Sequence, residues 1–261
     1  MRILFFGDIV GRPGRQAVTD VMPRWRSIYQ PDIVVANGEN AAAGVGITPS
    51  VAEDLFGAGI DVITLGNHTF KKKEAVQLLE DDARVLRPAN YPPEVPGYGY
   101  GIFRAGEARL AVVSLLGRVF LDPLDDPFHY INTQIPLLRE RTPCILIDMH
   151  AEATSEKAAI AWMVDGKASA VVGTHTHVAT ADERVLPNGT AFITDVGMVG
   201  PRDAILGVKR EPVIDRFLTR MPVRFEVAGG PVLVNAVLIT VDESTGAAEQ
   251  ITRLQEVLYL D

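Results

Sequence analysis

The chain has 261 residues, of which 47% are apolar, so it is long and apolar enough to bury a sizeable core. Its formal net charge is −8 and no basic stripe is visible, which argues against duplex nucleic acid as a partner. The single cysteine, Cys144, excludes internal disulfides, and no run approaches the ~20 apolar residues of a membrane span.

Eight short apolar runs, rich in Val and Ile, predict strands that are buried on both faces. In chain order they are RILFF (2–6), DIVVA (32–36), DVITL (61–65), RLAVVSLL (109–116), CILID (144–148), SAVVG (169–173), TAFIT (190–194) and PVLVNAVLITV (231–241). The first run has the apolar character of a signal peptide, but Asp8 interrupts it early and no small-residue cleavage site follows. We therefore expect a cytoplasmic protein that does not enter a membrane.

Helical patterns alternate with these runs, and apolar residues recur in them every three or four positions. The predicted helices cover 14–29, 49–58 and 154–164. Thr48 and Pro49 supply an N-cap and a first-turn proline for the second of them. Strands that alternate with helices predict a layered α/β fold.

The last third of the chain has a different pattern. VRFEVAG (223–229) and PVLVNAVLITV (231–241), followed by the turn DESTG (242–246), predict antiparallel strands and hence a mixed sheet. No repeat or linker divides the chain, and the proline- and glycine-rich stretch 88–99 is interpreted as an ordered loop. We expect one domain that spans residues 1–261.

Five of the apolar runs are followed by residues that can bind a metal ion or move a proton. These residues are Asp8, the NGEN turn 37–40, Asn67 with His68, His150, and the THTH stretch 174–177. Ligands of α/β sheets bind beyond the carboxyl ends of the strands, so parallel strands would gather these groups at one rim.

Each group taken alone has an ordinary interpretation. NGEN is compatible with a plain turn, Asp8 with a helix N-cap, His150 with a structural histidine, and HTH with a polar loop. However, four of the five histidines lie at strand ends, and only His129 lies elsewhere and keeps the structural interpretation. This placement of four histidines at strand ends favours one shared site over coincidence.

Imidazoles, carboxylates and a carboxamide without thiolates favour Zn, Fe or Mn over a cysteine-built structural zinc site. Six or seven ligands are too many for one catalytic ion that keeps an open position, whereas two ions that share a carboxylate fit. Glu39 is the natural bridge. Two divalent ions with Asp8 and Glu39 leave a charge of about +2, which suits a phosphodiester anion.

The spacing of the histidines adds a geometric argument. If the HTH backbone is extended, His175 and His177 point to the same side and can serve neighbouring ions. In an extended strand Asp148 and His150, two residues apart, also point to the same side, which makes Asp148 a candidate partner for a ligand imidazole. A helix or loop cap is an equal alternative for Asp148.

Together these blocks resemble the calcineurin-like binuclear metallophosphoesterases. The blocks GD, GEN, GNH, the lone His150 and GTHTH follow the order of that superfamily's D-x-H, G-D-x-x-D, G-N-H-D/E, H and G-H-x-H. Val10 stands where a second histidine is usual, and Glu39-Asn40 replaces the bridging aspartate. Both departures match the bacterial YmdB-like family of 2′,3′-cyclic-nucleotide phosphodiesterases, which NGENAAAGVGIT, DMHAEATSEK, VGTHTHVATAD and TDVGMVGP also resemble.

The resemblance spans nearly the whole chain and implies a layered α/β/β/α sandwich with mixed sheets. It also implies two metal ions, iron or manganese, with zinc as a further option. The implied ligand sets are Asp8, Glu39 and His177, with Asn40 as an additional candidate, for one ion, and Glu39, Asn67, His150 and His175 for the other. His68 would then be a general acid and not a ligand.

The implied reaction converts a small 2′,3′-cyclic nucleotide into a 3′-nucleotide. Water between the two ions would attack phosphorus in line, and protonated His68 would give its proton to the leaving ribose oxygen. The glycine-rich loops 41–48 and 194–201 are candidates for substrate contact, although a helix lead-in is an equal interpretation of the first. The sequence leaves a homo-oligomer open.

Three other functions compete with this one. A phosphoesterase for 3′,5′-cyclic nucleotides or monoesters would share the same metal core. A non-catalytic nucleotide-binding regulator would keep the metals for structure only, but structural sites are usually closed by their ligands. A nuclease of the same superfamily is disfavoured by the acidic balance of the chain.

Overall fold

The computed structural model describes residues 1–259. Its helices are α1 (Gly11–Tyr29), α2 (Pro49–Gly57), α3 (Glu74–Asp81), α4 (Pro127–Arg139), α5 (Thr154–Met163) and α6 (Arg210–Thr219). Its strands are β1 (Arg2–Phe6), β2 (Asp8–Ile9), β3 (Ile33–Asn37), β4 (Val62–Thr64), β5 (Val85–Leu86), β6 (Tyr100–Ala105), β7 (Ala108–Leu116), β8 (Cys144–His150), β9 (Ala170–Thr174), β10 (Arg184–Val185), β11 (Ala191–Ile193), β12 (Met198–Pro201), β13 (Val232–Val241) and β14 (Ala248–Leu258). No helix in this range is both long and apolar enough to cross a membrane.

Two mixed sheets form the centre of the molecule. The larger has the order β2–β12–β13–β1–β3–β4–β5, with β14 paired to β13. In it β1, β3, β4 and β5 run parallel, whereas β13 is antiparallel to β1. The smaller has the order β10–β11–β9–β8–β7–β6, and β7, β8, β9 and β11 run parallel.

Side-chain alternation along the strands divides the core into layers. In β1, Phe6 packs among residues of α1, α2 and α3, whereas its neighbour Phe5 packs between the two sheets. In β8, Leu146 also packs between the sheets, whereas Ile145 packs among residues of α4 and α5. The layers are therefore helix, sheet, sheet, helix, which confirms the predicted α/β/β/α sandwich with mixed sheets.

The eight strands predicted from apolar runs and the three predicted helices are all present, close to the predicted boundaries. Residues 88–99 form a loop, and the DESTG turn joins β13 to β14 in an antiparallel hairpin, as predicted. Asp242 caps this turn because its Oδ1 accepts a hydrogen bond from Ser244 N at 2.8 Å.

The predicted strand 223–229 is wrong. Within the described residues its pairing is limited to one isolated bridge between Val227 and Val208, outside both sheets. The segment exchanges backbone hydrogen bonds with residues 207–209, which precede α6. It belongs instead to the 202–231 connection, which joins β12 to β13 and contains α6.

Candidate metal centre

The predicted ligands and His68 come from five chain segments at the carboxyl ends of parallel strands. Asp8 follows β1 and opens β2, Glu39 and Asn40 follow β3, Asn67 and His68 follow β4, His150 ends β8, and His175 and His177 follow β9. Both sheets therefore contribute to one cluster, and the contacts below bring all eight side chains together.

Glu39 lies at the centre of this cluster and is only 1% exposed. Its Oε1 lies 3.2 Å from His150 Nε2 and 3.1 Å from His68 Nδ1, and its Oε2 accepts a hydrogen bond from His68 N at 2.9 Å. Burial opposes ionisation of this carboxyl, but the charges and hydrogen bonds of His150 and His68 hold its pKa well below its ordinary value. Glu39 is therefore a buried anion, the form in which a carboxylate binds a cation.

A first group of donor atoms surrounds His150 Nε2. Asn67 Oδ1 and His175 Nδ1 each lie 3.1 Å from it. Glu39, His150 and His175 each present one ligand atom, and these three atoms lie within 4.8 Å of one another. Nitrogen and oxygen donors that converge in this way can hold a divalent metal ion.

A second group consists of Asp8, Asn40 and His177. Asn40 Nδ2 lies 3.1 Å from His177 Nε2 and 3.4 Å from Glu39 Oε1. Asp8 Oδ1 lies 3.8 Å from His177 Nε2, while Asp8 Oδ2 accepts a hydrogen bond from His175 N at 3.0 Å. Both groups contact Glu39, so this carboxylate joins them.

Two features fit a cation better than an ordinary polar core. Asp8 Oδ1 is fully buried and has no hydrogen-bond partner within residues 1–259, and burial raises the pKa of this carboxyl. A Cβ at Gly66 would lie 2.4 Å from both Glu39 Oε2 and His150 Nε2, so the backbone approaches the ligand atoms in a way that only glycine permits. The donors present therefore fit a metal ion.

Contacts to the opposite nitrogen orient two of the imidazoles. His177 Nδ1 donates to the Leu206 carbonyl at 3.0 Å, which leaves Nε2 facing Asp8 and Asn40. His175 Nε2 lies 3.1 Å from Glu152 Oε2, which leaves Nδ1 facing the cluster. Such contacts fix the ring and reserve one nitrogen for a cation.

Asp148 supports His150 through an intermediate residue. His150 Nδ1 lies 2.8 Å from Thr174 Oγ1, and this hydroxyl donates to Asp148 Oδ1 at 2.7 Å. Asp148 is thus a partner of the imidazole, as one of the two interpretations held, but Thr174 lies between them. Burial alone would lower the pKa of His150, but Glu39, Asp8 and Asp148 raise it to about 9. The cluster therefore attracts positive charge.

The HTH stretch is not extended, so the condition on which the spacing argument for His175 and His177 depended is not met. His175 has φ 101° and His177 has φ 65°, conformations that are uncommon for residues other than glycine. Asp195 holds the turn in place, because its Oδ2 accepts hydrogen bonds from Thr176 N at 3.1 Å and Thr176 Oγ1 at 2.8 Å. The same oxygen lies 2.7 Å from the buried Lys157 Nζ. Both histidines reach the cluster from this strained turn.

Sequence reasoning missed four supporting residues: Glu152, Lys157, Thr174 and Asp195. A signal existed for Lys157, because it lies one turn before Ile160 and Ala161 on the buried face of α5. A lysine on the apolar face of a helix indicates a buried partner. The other three depend on contacts between segments distant in sequence.

His68 differs from the predicted ligands, because its side chain is 28% exposed. Its Nδ1 lies 2.8 Å from Asn40 Oδ1, and its Nε2 has no hydrogen-bond partner within residues 1–259. The ring also lines a cavity of about 820 Å³. His68 is therefore accessible to a molecule in that cavity, whereas His129 is exposed on α4 and is not part of the cluster.

Comparison with known proteins identifies the family. The YmdB-like protein family profile matches residues 4–254. A 2′,3′-cyclic-nucleotide 2′-phosphodiesterase of Bacillus subtilis (strain 168) is 52% identical, over 97% of this chain and 96% of the relative. Among solved structures, a hypothetical protein from Thermus thermophilus is 43% identical with TM-score 0.92, over 98% of this chain and 99% of that chain. A Mycoplasma pneumoniae phosphatase is 32% identical with TM-score 0.93, over 98% and 93%.

The four-layer fold and the cluster of ligand atoms at the strand ends define a hydrolase of the metallophosphoesterase type. The chain belongs to the YmdB-like family, which confirms the resemblance seen in the sequence.

Proposed function

We propose that this enzyme hydrolyses 2′,3′-cyclic nucleotides to 3′-nucleotides at a centre of two metal ions. The name of the Bacillus subtilis relative supports the substrate. The observation that carries the proposal is the fully buried Asp8 Oδ1, which lies beside His177 Nε2 and has no hydrogen-bond partner among the described residues. Glu39 joins this part of the cluster to a second set of donors. Such an oxygen costs free energy unless a hydrogen-bond donor or a cation faces it.

The proposed ligands follow the two groups of donors. One ion would take Asp8, Glu39 and His177, with Asn40 as a further ligand, and the other would take Glu39, Asn67, His150 and His175. Oxygen and imidazole donors without thiolates support iron or manganese, with zinc as a third option. When bound, two divalent cations would supply an acidified water molecule and would offset the negative charge of the phosphoryl oxygens.

The chain's own residues complete the reaction. His68 lines the cavity beside the cluster, so its imidazolium can give a proton to the leaving oxygen. The oxygen of water would form a new bond to phosphorus while the bond from phosphorus to O2′ breaks, and O2′ would receive the proton of His68. The water would release its second proton to solvent, and the His68 imidazole would regain a proton from solvent before the next turnover. The product is a 3′-nucleotide.

The substrate is tested with purified protein loaded with manganese or iron. We expect 2′,3′-cyclic AMP to be hydrolysed to 3′-AMP, and turnover to stop when the metals are chelated. Faster hydrolysis of 3′,5′-cyclic AMP or of simple monoesters would assign a different phosphoesterase specificity. Binding of nucleotide without any turnover, including of bis-p-nitrophenyl phosphate, would contradict catalysis altogether.

A further inference from the structure

A cavity of about 820 Å³ lies directly beside the proposed metal centre. Asn40, His68 and His177 are among its lining residues, so it is continuous with the cluster. The rest of its lining comes from loop 41–48 and from the 202–231 connection. Its volume lies within the range of roughly 300–1,000 Å³ that is typical of small-molecule sites.

The two walls of this cavity are fixed relative to each other and to the centre. The Leu206 carbonyl accepts the hydrogen bond that orients His177. On the opposite wall, Gly44 has φ +89°, and a Cβ there would lie 2.9 Å from Val227 Cγ2. The 202–231 connection is therefore packed against loop 41–48 and bonded to a proposed ligand, which fixes the distance between the cavity wall and the cluster.

The cavity wall formed by the 202–231 connection carries aromatic and guanidinium groups, which suit a flat aromatic ligand. Phe217 and Phe225 line the cavity and remain 71% and 40% exposed. The Arg216 guanidinium carbon lies 5.3 Å from the centre of the Phe225 ring, and Arg220 also lines the cavity. Aromatic rings and guanidinium planes are the surfaces on which nucleobases stack.

We infer that this cavity binds the nucleoside part of the substrate, with the base against Phe225 and Arg216 and the cyclic phosphate at the metal cluster. The inference rests on the proposed function, which supplies a nucleotide as the ligand. It makes the 202–231 connection, and Phe225 in particular, the part of the chain that distinguishes a nucleotide from other cyclic phosphodiesters.

The test compares 2′,3′-cyclic AMP with glycerol 1,2-cyclic phosphate, which carries the same five-membered cyclic phosphate without a base. We expect Phe225→Ala to lower the preference for the nucleotide, measured as the ratio of the two kcat/KM values, by about tenfold through KM. Phe225→Trp keeps the stacking surface and should keep the preference. Leu218→Ala is the matched control, since Leu218 is exposed on α6 within the same connection but does not line the cavity.

An unchanged ratio of the two kcat/KM values in Phe225→Ala would overturn the inference, including the case in which both esters lose activity equally. Calorimetric binding to the manganese-loaded protein separates this result from a failure of the proposed function. Wild-type protein should bind 3′-AMP more tightly than glycerol 2-phosphate, and Phe225→Ala should remove this difference. Without turnover of either ester the proposed function fails, whereas the binding comparison still decides whether a base is recognised.

Discussion

Asp8 and Glu39 are buried carboxylates whose oxygens face the imidazole nitrogens of His68, His150 and His177. This arrangement explains why the pKa of His150 is raised to about 9 and why Asp8 Oδ1 has no partner in the described chain. A cation among these side chains would satisfy the carboxylates and would also stabilise the folded state, because it binds only when the ligands are assembled.

Gly66 is the residue through which the backbone limits the shape of the centre. We expect Gly66→Ala to lower the metal content of purified protein at least tenfold, because the new Cβ would overlap Glu39 Oε2 and His150 Nε2. Elemental analysis measures the loss, and circular dichroism checks the fold. Gly57→Ala is the control, since no atom lies within 4 Å of a Cβ at that position. Full metal content in Gly66→Ala would contradict the proposed position of the ions.

His68 should act on the substrate and not on the metals. We expect His68→Ala to keep both ions while its turnover of 2′,3′-cyclic AMP falls by roughly 10²–10⁴-fold, the usual contribution of a general acid. Metal content and kcat are measured on the same preparation, with His129→Ala as the control. Loss of metal in His68→Ala would make His68 a ligand.

At the scale of helices and strands, the sequence predicted the central strands and three of the helices. It missed α3, α4 and β12, although each of them has buried residues, and β12 lies in the stretch 194–201 that was interpreted as a loop. The strands that end at the cluster are mainly apolar because a layer packs on each of their faces, so each is visible as an apolar run. The pattern fails for α6, in which Val213 is the one residue that is buried, and for β6, an edge strand that is mostly half-exposed. Because few residues of α6 and β6 pack in the core, neither element has a regular pattern of apolar residues.

The contact between α5 and the turn after β9 should be important for stability. Lys157 and Asp195 form a fully buried ion pair there, with the nitrogen and oxygen 2.7 Å apart. We expect Lys157→Met to lower the free energy of unfolding by about 3–5 kcal/mol, because the buried Asp195 carboxyl would lose its cationic partner. Urea denaturation measures the change.

Lys209→Met is the matched control for this prediction. Lys209 also forms a short ion pair, with Glu226 at 2.6 Å, but both side chains are exposed to solvent. Its replacement should leave the urea midpoint unchanged, because water screens exposed pairs. Equal effects of the two substitutions would contradict a special role for the buried pair.

At the scale of the whole molecule, the eight predicted site residues are brought together because the parallel strands of both sheets end at one rim. The sequence predicted this set because each member follows an apolar run. It could not predict how the histidines reach the cluster, because the left-handed backbone of His175 and His177 depends on Asp195 and Lys157 from other segments. The pattern of apolar runs followed by polar residues predicted which residues meet at the rim, whereas it could not predict the contacts between segments that are distant in sequence.

The shared core between the sheets supports a single domain, which remains our proposal. In Trp162→Phe, fluorescence of Trp25 reports the larger sheet, and labelling of the buried Cys144 thiol reports the smaller one. We expect both signals to change at the same urea concentration, because one core joins the halves. Two separate midpoints would divide the chain into independent units.

The most direct test of the metal centre is anomalous diffraction from crystals grown with manganese. We expect two peaks in each chain, one contacting Asp8 and His177, the other contacting Asn67, His150 and His175, and both contacting Glu39. A single peak, or no peak among these side chains in the presence of ample manganese, would contradict the two-metal account.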